Sequence, residues 1–323
     1  MASPLRHLAT TLMVATALTL GLALASSRAA QAQTTQVGTA QPDPPAAATD
    51  SSDQFEMFDI GKLLATAGVT QIEGAGGGGL VPWALITGYG TRDSFGGNVH
   101  YTIVQVPKFQ LQSEGAAIGI LDRVEISFAH EMFDTGAFGG ALGIGKGFTF
   151  AEDVAGVKVR LFGDAIYAQD SWIPQVAAGA MYKTVDRHDL VLALGARDSQ
   201  GVDFYLAATK LFLNESLLLD TTLRMTRANQ LGLLGFGGPL NNAYQPEFEG
   251  SIAYLVNRHV AIGAEYRMKP NNLAFAQESG WWDAFVAVFI TKNVSATAAF
   301  VSLGKIATSS PQNGVYFSLQ VGL

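Results

Sequence analysis

The sequence predicts an exported, all-β antiparallel transmembrane barrel of the outer-membrane type, with about 14 to 16 strands, and three observations carry that fold class. The last ten residues, Gly314 to Leu323, alternate, placing Val315, Phe317, Leu319, Val321 and Leu323 on one face. A chain that ends inside a strand must pair there. The amino terminus has a short basic start at Arg6 and His7, an apolar stretch from Leu8 to Ala25, and the small-residue sites Ala23-Leu24-Ala25 and Ala30-Gln31-Ala32. This is the grammar of a removed export signal. Between the two, apolar and polar side chains alternate with period two, and no further apolar run is long enough for a membrane helix.

These observations divide the chain into a signal over residues 1–32, cleaved after 25 or 32, a tether over 33–54, and a barrel over 55–323. The tether is Thr, Ala, Pro, Gln and Ser, with no aromatic and no Lys or Arg. It cannot bury enough apolar surface to fold alone.

Composition excludes several classes. Thirty-six of the 323 residues are Gly, above the usual ~7 %, and suit tight turns and close backbone approach. With no Cys there are no disulfides, thiolate nucleophiles or Cys-bound zinc. The net charge of -7 leaves no basic stripe for nucleic acid.

Strands are read at Val99 to Val106, Val124 to Phe128, Val157 to Phe162, Val202 to Thr209, Leu217 to Met225, Ile252 to Val256, Ile262 to Met268 and Phe285 to Thr291. Aromatics near segment ends, among them Trp83, Tyr89, Trp172, Tyr182, Tyr254, Trp281, Trp282 and Tyr316, read as interfacial girdles and turn the apolar face outward. The polar face then lines the lumen. It carries a charge ladder of Arg123, Glu125, Lys158, Arg160, Asp203, Asp220, Arg224, Glu247, Glu249, Glu265, Arg267 and Lys269.

Loop lengths assign the ends. With the terminal strand finishing in the periplasm, the links at Val185 to His188, Leu213 to Glu215, Asn257 to His259 and Thr291 to Asn293 become periplasmic turns, and the tight turn at Gly119 to Asp122 joins them if Gly139 to Phe150 is an extra strand. Ala228 to Pro246 and Lys269 to Gly280 become long outside loops. A strand at Gly139 to Phe150 brings the count to the upper figure, and leaving Gly61 to Ile72 out of the wall gives the lower one. Parity around Asn257 to His259, with Val256 opposite Val260, sets Glu249 across from Arg267 and Glu247 across from Lys269.

Six segments together resemble a family: GGGGLVPWALITGYGTRDSFGG (Gly76 to Gly97), LDRVEISFAHEMFDTG (Leu121 to Gly136), GDAIYAQDSW (Gly163 to Trp172), ATKLFLNESLLL (Ala208 to Leu219), NQLGLLGFGG (Asn229 to Gly238) and AEYRMKPNNLAFA (Ala264 to Ala276). The resemblance is to the proteobacterial family catalogued as domain of unknown function 3034, from about Gly61 to the end of the chain. It implies an outer-membrane address and brings no activity or functional residues.

Chemical motifs dissolve on inspection. GALGIGKG (Gly140 to Gly147) has Gly147 where a phosphate loop needs Ser or Thr, and Gly76 to Gly79 reads as a turn. His100, His130, His188 and His259 are too dispersed for a metal centre. Ser127 and His130 stand three apart on one strand, so they face opposite sides. No catalytic, cofactor or metal residue is assigned. The expected function is a channel or binding barrel for small solutes, with a non-conducting structural or partner-binding barrel, and an outer-membrane hydrolase, as alternatives. Expected partners are outer-membrane lipid and lipopolysaccharide, the barrel assembly machinery that reads Gly314, Phe317, Leu319 and Leu323, and a small polar solute.

Overall fold

The computed structural model describes residues 69–88, 95–141 and 143–322. The segments expected as signal (1–32) and tether (33–54), residues 55–68, residues 89–94 with Tyr89 of the expected girdle, residue 142 and Leu323 lie outside these. All the described residues belong to one compact unit, Lys62–Leu323.

The wall is a closed antiparallel barrel of twelve strands among the described residues. In chain order they are β1 (Phe95–Gln105), β2 (Gln110–Ile120), β3 (Val124–Asp134), β4 (Thr149–Phe162), β5 (Gln175–Val185), β6 (Gln200–Phe212), β7 (Leu217–Thr226), β8 (Gln245–Asn257), β9 (Val260–Arg267), β10 (Trp281–Phe289), β11 (Val294–Ser302) and β12 (Asn313–Gly322). Each pairs with its sequence neighbours, and β12 closes on β1 from Gln105↔Val315 to Asn98↔Gly322. Closure leaves no edge with unpaired backbone groups. An ideal Cβ on Gly314 would lie 2.0 Å from the Gln105 carbonyl oxygen, so this seam needs glycine there.

All eight predicted segments fall on strands, but the predicted 14 to 16 is corrected to twelve. Residues 69–72 stand inside the barrel, not in its wall. The Gly139 to Phe150 stretch supplies only the first residues of β4; before it come the helical turn α1 (Phe138–Ala141) and Gly143, Gly145 and Gly147. Their φ values of 76°, 105° and 67° lie in the left-handed region, which a strand cannot hold.

The lower count moves one link to the other end of the barrel. Links 121–123, 163–174, 213–216, 258–259 and 290–293 share one end, here the turn end, with the finish of β12. Links 106–109, 135–148, 186–199, 227–244, 268–280 and 303–312 share the other, the loop end. The segment from Val185 to His188, expected as a turn on the terminus side, opens a loop-end link that carries the helix α2 (His188–Ala193).

Alternation sets the two faces. Ile126, Phe128, Val157, Leu206, Leu223, Phe248, Ile262, Val286, Phe300, Phe317 and Leu319 point outward and are exposed, which suits an apolar surround rather than water. Trp172, Tyr182, Tyr254 and Trp282 are exposed as well. Trp83, Trp281 and Tyr316 are buried inside and form no girdle. Trp281 shares the inward parity of Asp283, Tyr316 that of Ser318, and Trp83 is not on a strand.

Eight strands leave room only for side chains and sixteen leave an aqueous channel. A twelve-stranded lumen is intermediate. Here residues 69–88 fill it.

Candidate functional site

The lumen is built in layers. Near the loop end the inward positions are apolar, with Val104, Leu111, Phe133, Phe150, Val185 and Val301 buried; near the turn end they are apolar again, with Leu211, Leu218, Phe285 and Phe289. Polar and charged side chains occupy the middle, where the internal segment crosses.

That segment folds on itself through bridges Thr70↔Gly76 and Gly77↔Pro82, with Ile72 N donating to Gly79 O at 3.0 Å and Trp83 N to Gly76 O at 3.1 Å. Irregular backbone inside a barrel needs outside partners, because buried N–H and C=O groups are costly when unpaired. The wall supplies them. Glu125 accepts Gly76 N at 2.9 Å and Thr87 N at 2.8 Å, and Lys158 donates to the carbonyls of Gly76 and Leu85 at 2.8 and 2.7 Å. Gln175 donates to Ala84 O at 2.7 Å, Thr209 accepts Ala84 N at 2.7 Å, and Thr222 donates to Pro82 O at 2.9 Å. Ser251 accepts the Trp83 indole N–H at 2.9 Å, and Glu265 accepts Leu80 N at 2.6 Å. Asn98, Ser113 and Gln320 hold Thr70 and Ile72. Side chains from β1 to β9 and from β12 therefore grip one short segment, which acts as a plug.

Glu73, the single charged residue of the plug, sits at the centre of an ion network. Arg267 donates to its two carboxylate oxygens at 2.6 and 3.1 Å, Arg224 lies 3.4 Å away, and Lys183 completes the set. Lys183 also meets Asp203 at 2.7 Å, and Glu249 accepts from Arg224 at 2.5 Å and from Arg267 at 3.2 Å. Three cations and three carboxylates thus compensate one another out of water, where a lone charge would be expensive.

The expected ladder residues divide. Glu125 and Lys158 pair at 3.0 Å and lie opposite each other. Asp203, Arg224, Glu249 and Arg267 join the network, and Asp220 and Glu265 accept from Thr209, Thr222 and Ser251. Arg160 sits at the turn-end rim with Asp122 and Asp164. Arg123 is not in the lumen: it lies exposed in the β2–β3 turn and donates to the carbonyls of Arg160 and Leu161. A turn has no inward parity, so alternation misplaces it.

The β8–β9 register sets Glu249 opposite Arg267 as parity requires, but Val256 does not pair with Val260. Asn257 does, because its side chain accepts His259 N and Val260 N at 2.8 and 3.0 Å and tightens the turn into a bulge. Glu247 is buried opposite Arg224 on β7. Lys269 has left the strand for the loop, where it meets Gln230 at 2.8 Å and Glu278 at 3.5 Å rather than Glu247. Burial raises the Glu278 carboxyl to about 7 against the attraction of Lys269, and lowers the Lys269 amine to about 8.

Glu73, Glu131, Glu152, Lys183 and Asp283 are lumen charges that the ladder omitted. The last four share inward parity with residues it included on, or across from, the same strands. Glu131 and Glu152 face each other across β3–β4, fully buried, with no hydrogen-bond partner among the described residues. Glu73 had one signal: a single acid in a long uncharged, glycine-rich stretch.

On the outer face His130 Nδ1 lies 2.6 Å from Asp153, with Glu114 on its other side, while Ser127 points inward. Both cross-strand neighbours of His130 are thus acids. No set of three or more His, Cys, Asp or Glu among the described residues is placed to hold a metal ion.

Two apolar cavities flank the charged layer. One of about 390 Å³ near the turn end is lined by Trp83, Leu211, Leu218 and Phe285 among others, and one of about 150 Å³ lies under the loops at the other end.

Several solved structures resemble the barrel. A KdgM porin is 8 % identical with TM-score 0.45, covering 69 % of this chain and 98 % of that one. A NanC porin is 8 % identical with TM-score 0.46, covering 70 % and 100 %. The outer membrane phospholipase A from Escherichia coli is 12 % identical with TM-score 0.39, covering 73 % and 94 %. No curated protein matches the sequence. The family model described as "Protein of unknown function (DUF3034)" matches residues 66–320, plug and wall together, and the chain belongs to that family.

Proposed function

We propose that the protein is an outer-membrane barrel that binds and passes a small solute, gated by its own internal segment. The observation that carries this reading is the plug itself. Residues 69–88 cross the lumen with little regular secondary structure of their own, and much of their grip on the wall is side-chain hydrogen bonds and ion pairs, beside the buried apolar packing of Ile72, Leu80, Val81 and Trp83. Polar contacts of this kind can be exchanged for water singly, whereas the wall ladders cannot open without breaking the barrel. The outward apolar band supports a membrane surround, and the turn end then faces the periplasm, with the long loops outside. Phe317 and Leu319 on the lipid face of β12, with Gly314 at the closing seam, are the elements the assembly machinery would read.

The test exploits the absence of native cysteine. Thr70 Oγ1 and Asn98 Oδ1 lie 2.8 Å apart, joining plug to wall, so the double variant Thr70→Cys, Asn98→Cys can tie them covalently. In planar bilayers the wild type should show brief openings that the oxidised variant lacks and that reduction restores. Identical traces in the two redox states, or a wild type that never opens, would reject the gate.

A further inference from the structure

The loop-end cavity has a lining unlike anything a polar solute would need. Every loop-end link contributes an apolar side chain: Phe109, Phe138, Val191, Leu234, Phe275 and Ile306 come from six different connections. From the wall below, Phe133, Phe150 and Trp281 complete the floor. The rings already contact one another in the tilted and edge-on arrangements that aromatic groups prefer, with Phe109 and Phe133 centroids 5.3 Å apart, Phe109 and Phe138 5.3 Å apart at 80°, and Phe133 and Phe150 5.2 Å apart.

Loops ordinarily present polar side chains outward and leave no void, since protein interiors pack with few holes larger than a water molecule. Here six loops turn large apolar groups inward around a space of about 150 Å³. Water gains little there, because a water needs two to four polar partners to settle. An engineered dry cavity of about this volume in another protein, lined by Leu, Ile and Phe, takes up benzene. Val191, Leu234 and Trp281 are buried in this lining, while Phe138, Leu190 and Phe275 are only partly so and border its way in from the loops.

We propose that this cavity is a binding site for a compact apolar molecule of about the size of one aromatic ring. The inference rests on the gated-barrel reading for its purpose, because it names the solute class that would wait above the plug. Its physical basis is separate. The expected small polar solute gives way to an apolar one, since its hydroxyls would lose water and find almost no partner in this lining.

Toluene is the probe. The full-length barrel in detergent is heated with and without saturating toluene, and the loss of heat-resistant mobility on gels is followed. Ligand that binds only the folded state raises that midpoint. The wild type should shift upward by several degrees. Leu234→Trp, which fills the space, should weaken toluene binding at least tenfold and abolish the shift, and Val191→Phe does the same should the first variant fail to fold. Detergent takes up toluene equally in all samples, so an equal shift in wild type and variants, or none in the wild type, would overturn the assignment. No current is measured. A barrel that never conducts but binds toluene keeps the site and loses the gate, whereas redox-controlled conductance without toluene binding loses the site alone.

Discussion

The Glu73 carboxylate of the plug accepts two hydrogen bonds from Arg267 of β9, at 2.6 and 3.1 Å, joining residues 194 apart in the chain. Replacing Glu73 by Gln keeps the shape but removes the charge, leaving Lys183, Arg224 and Arg267 with Asp203 and Glu249 alone. Breaking a buried ion pair from one side costs about 3–5 kcal/mol. Because the wall ladders stay intact, the cost falls on plug seating. Glu73→Gln should lengthen openings in bilayers while the barrel's heat-resistant gel mobility changes little. Unchanged gating would deny Glu73 its latching role.

Glu249 accepts from both Arg224 and Arg267, so exchanging charges across one ladder pair cannot be neutral. Glu249→Lys should destabilise strongly by gathering four cations around Glu73. Adding Arg267→Glu restores the cross-strand pair but sets a new carboxylate against Glu73, so recovery should stay below half in thermal unfolding of the barrel. Full recovery would mean that the two residues act as an isolated pair.

An ideal Cβ on Gly77 would lie 2.3 Å from the Val81 carbonyl oxygen and 2.7 Å from Pro82 Cα, both backbone atoms that cannot swing aside. Gly77→Ala should unseat the plug at a cost of about 1–3 kcal/mol, the usual range for overpacking. At Gly97, on the wall, the nearest atom is 3.8 Å away, and the same substitution should be almost silent. Limited proteolysis of residues 69–88 in the two variants checks the contrast.

The Lys269–Glu278 pair predicts a pH dependence confined to the 268–280 loop. A carboxyl raised from its ordinary 4.5 to about 7 contributes stability that is full below the ordinary value and is lost as pH rises through about 7. An amine lowered from its ordinary 10.5 to about 8 contributes stability that is full above the ordinary value and is lost as pH falls through about 8. The loop should therefore be loosest between roughly pH 7 and 8 and firmer on both sides. A nitroxide on Ala274→Cys, exposed in that loop, should show greatest mobility in this window. Glu278→Gln should flatten the acid limb and, by removing the attraction that holds the Lys269 amine up, move the basic limb to lower pH.

Much of the wall was legible in the chain. Period-two alternation is local: once Ile262 and Tyr266 face outward, Glu265 and Arg267 must face inward, whatever the rest of the barrel does. Register across a short turn is nearly local too, which is why Glu249 stands opposite Arg267 even though the turn at Asn257 tightens by a bulge. Within the strands that were read, Glu131, Glu152 and Asp283 carried the same signal and could have been added by extending each to its full length.

What only the tertiary structure decided depends on residues far apart in sequence. Strand number follows from which segments pair into the closing wall, and glycines at positive φ remove residues 143–147 from it. The plug has no periodicity, since its backbone is satisfied partly by irregular bonds within itself, such as Ile72 N to Gly79 O, and partly by wall side chains such as Glu125, Lys158 and Glu265, rather than by a regular ladder. Lys269 finds Glu278 instead of Glu247 because the chain leaves β9 two residues earlier than alternation suggests. The aromatic chamber under the loops has no sequence signature, as each of six links supplies only one or a few apolar side chains and the cavity exists only where they converge.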